Sequence, residues 1–265
     1  MAEHVVTVPD DATIAYETVG DGPVVVLVHG ITERRAAWGQ LADRFAESGR
    51  RVLAVDLRGH GDSSRTPPYD LATMAADVGA VLAAEEAADP LMVGHSLGGA
   101  VVSAYASGGP CRGVVNVDQP LALGGFQGAL RELEPLLRGT PEECGAAVST
   151  IFEHMAGPLA GAERARIDAL RDAEQDVVLG IWDLVLTSEV TDLDAVVDAV
   201  AAGISAPYLS LHGIDPGPGY AVWLTARIAG ATVEVWPEHG HYPHLVDPDR
   251  FVERVLAFDR SLTLG

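Results

Sequence analysis

The sequence predicts an α/β fold, a mostly parallel sheet flanked by helices and interrupted by one all-helical insertion. Three observations carry this. Short β-branched runs alternate with helix-like segments at both ends of the chain. One of those runs, VVVLVH at 24–29, is a continuous apolar stretch, as a strand buried on both faces is, and RVLAVD at 51–56 reads as the next strand. Between residues 121 and 202 the alternation stops, and the sequence is helical in character with Gly and Pro breaks.

Taken in order, residues 5–8 and 13–19 are β-branched and separated by Pro9-Asp10-Asp11, a hairpin signal. Residues 24–29 form the third strand, 37–47 a helix stopped by Gly49, and 51–56 the fourth strand. Asp70 suits the N-cap of a long Ala-rich helix ending near Asp89-Pro90. A strand at 91–94, a helix at 96–106 and a strand at 113–118 come next. Beyond the insertion come a strand at 207–212, a helix at 220–228, a strand at 232–236 and a closing helix at 248–258. The chain thus divides into a core, residues 1–120 and 203–265, and a helical cap, residues 121–202. In such sheets ligands sit beyond the carboxyl ends of the strands. The insertion leaves from that edge, just after Asp118, so it can form a lid.

Composition narrows the function classes. The 265 residues are 48% hydrophobic, enough for a sizeable core. No apolar run reaches the ~18 residues of a membrane span. The first residues lack a basic stretch followed by an apolar one, so the reading is cytoplasmic, with no membrane partner. The formal charge is −21 and every cation is Arg, which opposes a phosphate backbone and argues against a nucleic-acid partner. Cys111 and Cys144 make neither a disulfide framework nor a metal cluster. With no metal-spaced ligand set and no dinucleotide fingerprint, neither metal nor organic cofactor is expected. The expected partner is a small molecule, and the expected assembly a monomer or homodimer.

The chemistry centres on Gly94-His95-Ser96-Leu97-Gly98, a G-x-S-x-G match between a predicted strand and a predicted helix. In that setting the glycines permit a sharp turn that thrusts the serine out, and the helix N-terminus faces developing negative charge. A serine nucleophile needs a base. Of nine histidines, His241 lies in the loop after the last strand, on the same edge, with His239 and His244 as neighbours and competitors. A third group must orient the imidazole. Asp118, at the end of GVVNVD, and Asp215, after PYLSLH, both qualify, and either is also an ordinary turn-forming Asp. Oxyanion donors would be the N–H groups of Leu97 and of Ile31, in the loop after 24–29.

These landmarks resemble the α/β-hydrolase family over nearly the whole chain. The matching stretches are His29-Gly30-Ile31, Asp56-Leu57-Arg58-Gly59-His60-Gly61, Gly94 to Gly99, and Gly240-His241-Tyr242-Pro243-His244. The resemblance implies an eight-stranded sheet with a cap, Ser96 as nucleophile, His241 as base, and Ile31 and Leu97 as oxyanion hole. Most relatives carry the acid three residues past the glycine ending the seventh strand, where this chain has Pro216 with Asp215 one position early. A subset, including haloalkane dehalogenases and zearalenone lactonases, carries it at the end of the sixth, which favours Asp118 over Asp215. Dehalogenases and epoxide hydrolases of this fold use an Asp nucleophile, and Ser96 argues against both.

The implied reaction is acyl transfer to water on a small or medium hydrophobic ester or lactone. Trp182, Leu121 and Phe126 are the candidate apolar substrate contacts in or near the cap, with Gly30 and His95 beside the reacting groups. Arg34 and Arg35, after the oxyanion loop, are candidates for a substrate carboxylate or for a solvated helix face. Two readings compete: other serine-triad chemistry such as C–C bond hydrolysis, perhydrolysis or acyl transfer, and a ligand-binding receptor with little turnover.

Overall fold

The computed structural model describes residues 2–262. Eight strands form one sheet: β1 (Ala2–Thr7), β2 (Thr13–Val19), β3 (Val24–Val28), β4 (Arg51–Val55), β5 (Leu91–His95), β6 (Gly113–Val117), β7 (Tyr208–His212) and β8 (Ala231–Val235). Their spatial order is β1-β2-β4-β3-β5-β6-β7-β8. The hairpin β1–β2 and the β2–β4 pair are antiparallel, and every pair from β4 to β8 is parallel. The apolar runs account for this order: β5, β6 and β7 are buried at every position, whereas the edge strand β8 is half-exposed over its last residues.

Helices cover both faces. They are α1 (Leu41–Glu47), α2 (Leu71–Ala84) and α3 (Leu97–Ala106), then α4 (Gly124–Leu137), α5 (Pro141–Met155), α6 (Gly161–Leu170), α7 (Gln175–Thr187) and α8 (Val190–Gly203), and finally α9 (Tyr220–Thr225), α10 (Pro243–Val246) and α11 (Pro248–Leu262). One core layer joins Met74 and Val78 of α2 and Val101 of α3 to Val26 and Val114 of the sheet. The opposite layer packs Phe45 of α1 and Phe251 and Val255 of α11 against Leu27, Val93 and Val115. Helices α4–α8 fill the interval between β6 and β7, and their apolar centre, with Leu130, Cys144, Val148, Phe152, Val178 and Trp182, also takes in Ile31 from the loop after β3. Among the described residues no helix is long and apolar enough to cross a membrane.

Helix boundaries depart from the sequence expectation where a residue takes positive φ. The helix expected at 37–47 is split into a single 3₁₀ turn, Arg35–Trp38, and α1, because Gly39 sits at φ 52° under the Arg166 guanidinium. The helix α2 has its Asp70 cap, whose carboxylate accepts from Thr73 N–H at 2.9 Å, but ends at Ala84, short of Asp89, with Glu86 at φ 52°.

Candidate active site

Ser96 joins β5 to α3 at φ 51° and ψ −124°, a conformation an L-residue adopts only under constraint. The constraint is close packing. A Cβ at Gly94 would stand 2.1 Å from Gly98 O, and one at Gly98 would stand 2.1 Å from Val28 O. Only glycine on both sides lets the helix start this near the sheet and leave the serine at its tip. Leu97 is the first residue of α3, so its N–H has no intrahelical acceptor. Ile31 and Leu97 lie with Ser96 on the wall of one cavity of about 800 Å³.

His241 is on the same wall. It is buried, and its Nδ1 donates to Asp118 Oδ2 at 2.6 Å. Its Nε2 has no hydrogen-bond partner within the protein. Asp118, just past β6, stands at φ 52°, and its other oxygen, Oδ1, accepts from Gly213 N–H at 2.8 Å and Ile214 N–H at 3.1 Å. The loop after β7 therefore supplies backbone donors to Asp118. Its own Asp215 lines the cavity but turns back to accept from Gly217 N–H at 2.9 Å and does not meet His241. Burial pushes Asp118 up, but the hydrogen bonds it accepts, from His241 first and from Ile214 N–H, outweigh it and hold the carboxyl below its ordinary range. Burial drives His241 below its ordinary 6.5, against the pull of Asp118, so the imidazole is neutral at neutral pH. His212 faces Asp118 from the opposite side at 3.9 Å and is pushed down to about 4, mainly by burial. The arrangement holds an unpartnered imidazole nitrogen and a strained serine on one wall, backed by an ionised carboxylate, which is the layout for moving a proton off a hydroxyl.

The cavity runs up into the cap. Phe126, Phe152, Met155, Ile181 and Trp182 line it, and Trp182 meets Phe126 edge-on with centroids 6.0 Å apart. Asp70, Asp183 and Asp215 line it as well, and none of the residues on its wall is an arginine.

Three of the sequence-named substrate contacts lie elsewhere. Leu121 is off the wall because it is buried in the core layer under α2 and α3. His95 points away from the cavity and lies behind His241, its Nε2 2.8 Å from His241 O. Gly30 is beneath the wall, packed against His95 and Ser96. Neither Arg34 nor Arg35 lines the cavity; Arg35 is buried in an acidic cage of Asp56, Asp62 and Glu17. Of the rival histidines, His239 bonds to Pro237 O, and His244 is buried against Trp38. The sequence reading overlooked Glu33, Tyr242 and Arg171, which converge behind the site. A lone acid three residues past His29-Gly30 was the available signal for Glu33.

Among the described residues no group of three or more His, Cys, Asp or Glu is arranged to hold a metal ion. Residues 25–254 match the model of the alpha/beta hydrolase family. A non-heme haloperoxidase from Rhodococcus erythropolis is 27% identical over 97% of this chain and 99% of its own length. Human protein phosphatase methylesterase 1 is 29% identical over 175 residues, 62% of this chain but 45% of that relative, so the chain spans about half the length of such curated relatives. Among solved structures, the esterase RhEst1 from Rhodococcus sp. ECU1013 has a TM-score of 0.76 at 29% identity, covering 99% of this chain and 100% of that one. An esterase from Exiguobacterium antarcticum, at 21% identity and TM-score 0.82 over 96% of this chain and 98% of that one, shares the fold.

Proposed function

The chain belongs to the alpha/beta hydrolase family, and from that premise we propose that it is a serine hydrolase of small or medium, uncharged hydrophobic carboxylic esters or lactones. The observation that carries the reading is the meeting, on one cavity wall, of Ser96 at positive φ and a His241 whose Nδ1 is bound to Asp118 and whose Nε2 is unpartnered. Ser96 Oγ attacks the acyl carbon while His241 Nε2 takes its proton. Asp118 stabilises the imidazolium so formed. The oxyanion accepts from Ile31 N–H and Leu97 N–H, each such donor being worth about 3 kcal/mol of barrier. Collapse breaks the bond to the leaving oxygen, which takes the proton from His241, and leaves an acyl-Ser96. Water, deprotonated by His241, then attacks the acyl carbon, and Ser96 leaves with that proton as the acid is released.

The apolar wall of Phe126, Phe152 and Trp182 supports a hydrophobic acyl or alcohol group. The wall acids, with no arginine beside them, favour a neutral substrate over one with a free carboxylate. Similarity to an esterase at 29% identity over nearly both full chains supports ester chemistry. A second reading, transfer of the acyl group from Ser96 to hydrogen peroxide to give a peracid, is favoured by the full-length likeness to a haloperoxidase.

The first test is labelling with a fluorophosphonate, then intact mass and peptide mapping. One adduct on Ser96, lost in His241→Ala, is the expected outcome. Folded protein that takes no adduct and turns over no member of a neutral ester and lactone panel would overturn the reading in favour of a non-hydrolytic ligand receptor. The same panel with added peroxide separates the second reading by the appearance of peracid.

A further inference from the structure

Glu33 is a fully buried carboxylate to which the proposed reaction gives no part, at 2% exposure. Burial pushes it up, yet its surroundings, His95 first and then the Arg171 guanidinium, prevail and keep it ionised well below the usual carboxylate range. Burying a carboxylate costs several kcal/mol unless its surroundings compensate. Its neighbours come from three of the segments that bear on the reaction. Gly30 N–H, next to the oxyanion donor Ile31, reaches Oε2 at 3.3 Å. Tyr242, the residue after His241, donates its O–H to Oε1 at 2.9 Å. His95, the residue before Ser96, brings Nδ1 to 3.6 Å from Oε2, a close approach outside hydrogen-bond range.

Two of these contacts lead on to the main chain of His241 and to the cap. A carbonyl only accepts, so the 2.8 Å contact between His95 Nε2 and His241 O puts a proton on Nε2 and turns Nδ1 towards Glu33. His241 N–H in turn donates to Met155 O, at the end of α5 in the cap, at 2.8 Å. On the cap side, Arg171 donates to Tyr242 Oη and to Thr32 Oγ1, and its guanidinium lies 3.9 Å over the Phe152 ring. Asp172 N–H donates to Thr32 O at 2.7 Å.

We propose that Glu33 is a positioning residue, the common anchor through which the seated cap fixes the oxyanion loop and the His241 loop relative to Ser96. The inference rests on the serine-hydrolase reading above. If Glu33 served packing alone, its isosteric amide would keep the rate. As an anchor it acts in two ways. It sets the distance between donors and base, where a misplacement of about 1 Å costs up to 100-fold. Its negative charge, behind His241, also favours the imidazolium. The charged and titratable groups around that imidazole are Asp118 from just past β6, His95 from β5, Glu33 from the oxyanion loop, Tyr242 from its own loop, His244 from α10 and, beyond Asp118, His212 from β7.

The test uses the whole chain, a neutral short-chain p-nitrophenyl ester and three variants. In Glu33→Gln, kcat falls ~10–100-fold, KM stays within about threefold, and the acid limb of kcat/KM moves to lower pH, because the imidazolium has lost a neighbouring anion. Glu33→Asp keeps the charge but shortens the reach, so kcat falls while the acid limb stays. Tyr242→Phe leaves the carboxylate and cuts the link to Arg171, and lowers kcat at least ~3-fold at unchanged KM. A folded Glu33→Gln with kcat and pH profile both within twofold of the parent protein would refute the proposal. Should Glu33→Gln not fold, Tyr242→Phe decides it, an unchanged kcat being the refuting result. Failure of the hydrolase reading looks different: the parent protein then neither turns over ester nor takes a fluorophosphonate. The His241 titration, measured by histidine NMR in parent and Glu33→Gln, then decides the inference, and an unmoved His241 rejects it.

Discussion

Two residues of the site, Ser96 and Asp118, hold positive φ without being glycine, at 51° and 52°. Such backbone costs of order 1–3 kcal/mol each and persists only where its surroundings over-determine it. At Ser96 the cause is legible in the sequence, since the flanking glycines announce a turn too tight for side chains. At Asp118 it is not. GVVNVD sets an Asp directly after one strand and HGID sets one three residues after another, and apart from the family resemblance nothing local ranks them. The ranking comes from Gly213 and Ile214, which are 95 and 96 residues away along the chain and aim their N–H groups at Asp118. Asp118→Asn is therefore expected to lower kcat by ~10³–10⁴, because an amide neither holds the His241 N–H in the same way nor balances the imidazolium. Asp215→Asn, which disturbs only a turn to Gly217, is expected to stay within ~3-fold. Burst kinetics on an activated ester measure both, and equal losses would reassign the acid.

At the scale of elements, the strands were the legible part, because a strand buried on both faces is spelled out as a run of Val, Leu and Ile. Helix ends were less so: Gly39 and Glu86 break or stop helices through backbone conformations that periodicity does not encode. Leu121 and Trp182 both read as cap apolar residues, yet one turned into the core and the other onto the cavity wall. That choice depends on which way α4 leaves β6. The seating of the cap on the core also escaped the sequence, since it depends on two glycines far apart in the chain. Gly157, after α5, and Gly240, before His241, sit at φ 59° and 62°, and a Cβ on Gly157 would come within 2.6 Å of Gly240 Cα. Gly157→Ala should thus lift this end of the cap and pull on the Met155–His241 link. The expected result is a loss of ~1–3 kcal/mol in stability, read by denaturant titration, together with a fall in kcat. Unchanged stability and rate would mean that the contact is dispensable.

For the whole molecule, the most consequential inventory is of buried imidazoles. His29, His60, His212, His241 and His244 are all held below their ordinary range, with burial the leading cause in each, His60 to about 3 and His212 to about 4. In the unfolded chain each takes a proton near pH 6.5, while in the folded protein each stays neutral to lower pH. As pH falls below 6.5 the unfolded state binds more protons, so stability declines, by up to about 1.4 kcal/mol per pH unit for each such histidine. The depressed Asp118 and Asp259 add losses of the same sign at lower pH, as they protonate. Thermal melts should therefore fall already between pH 6.5 and 5, before carboxylates titrate; a flat melting temperature over that window would contradict the buried-neutral assignment. Catalysis tolerates acid better, because a depressed His241 remains a base below pH 6.5. The acids on the cavity wall bear on the release of product. Under the proposed hydrolysis an uncharged molecule enters and an anion is made, in a chamber flanked by Asp70, Asp183 and Asp215, without an arginine on its wall, inside a protein of net charge −21. No cationic side chain on that wall pairs with the anion, and the surrounding field drives it outward. Product inhibition should be weak, and the departure of the acid should not limit turnover.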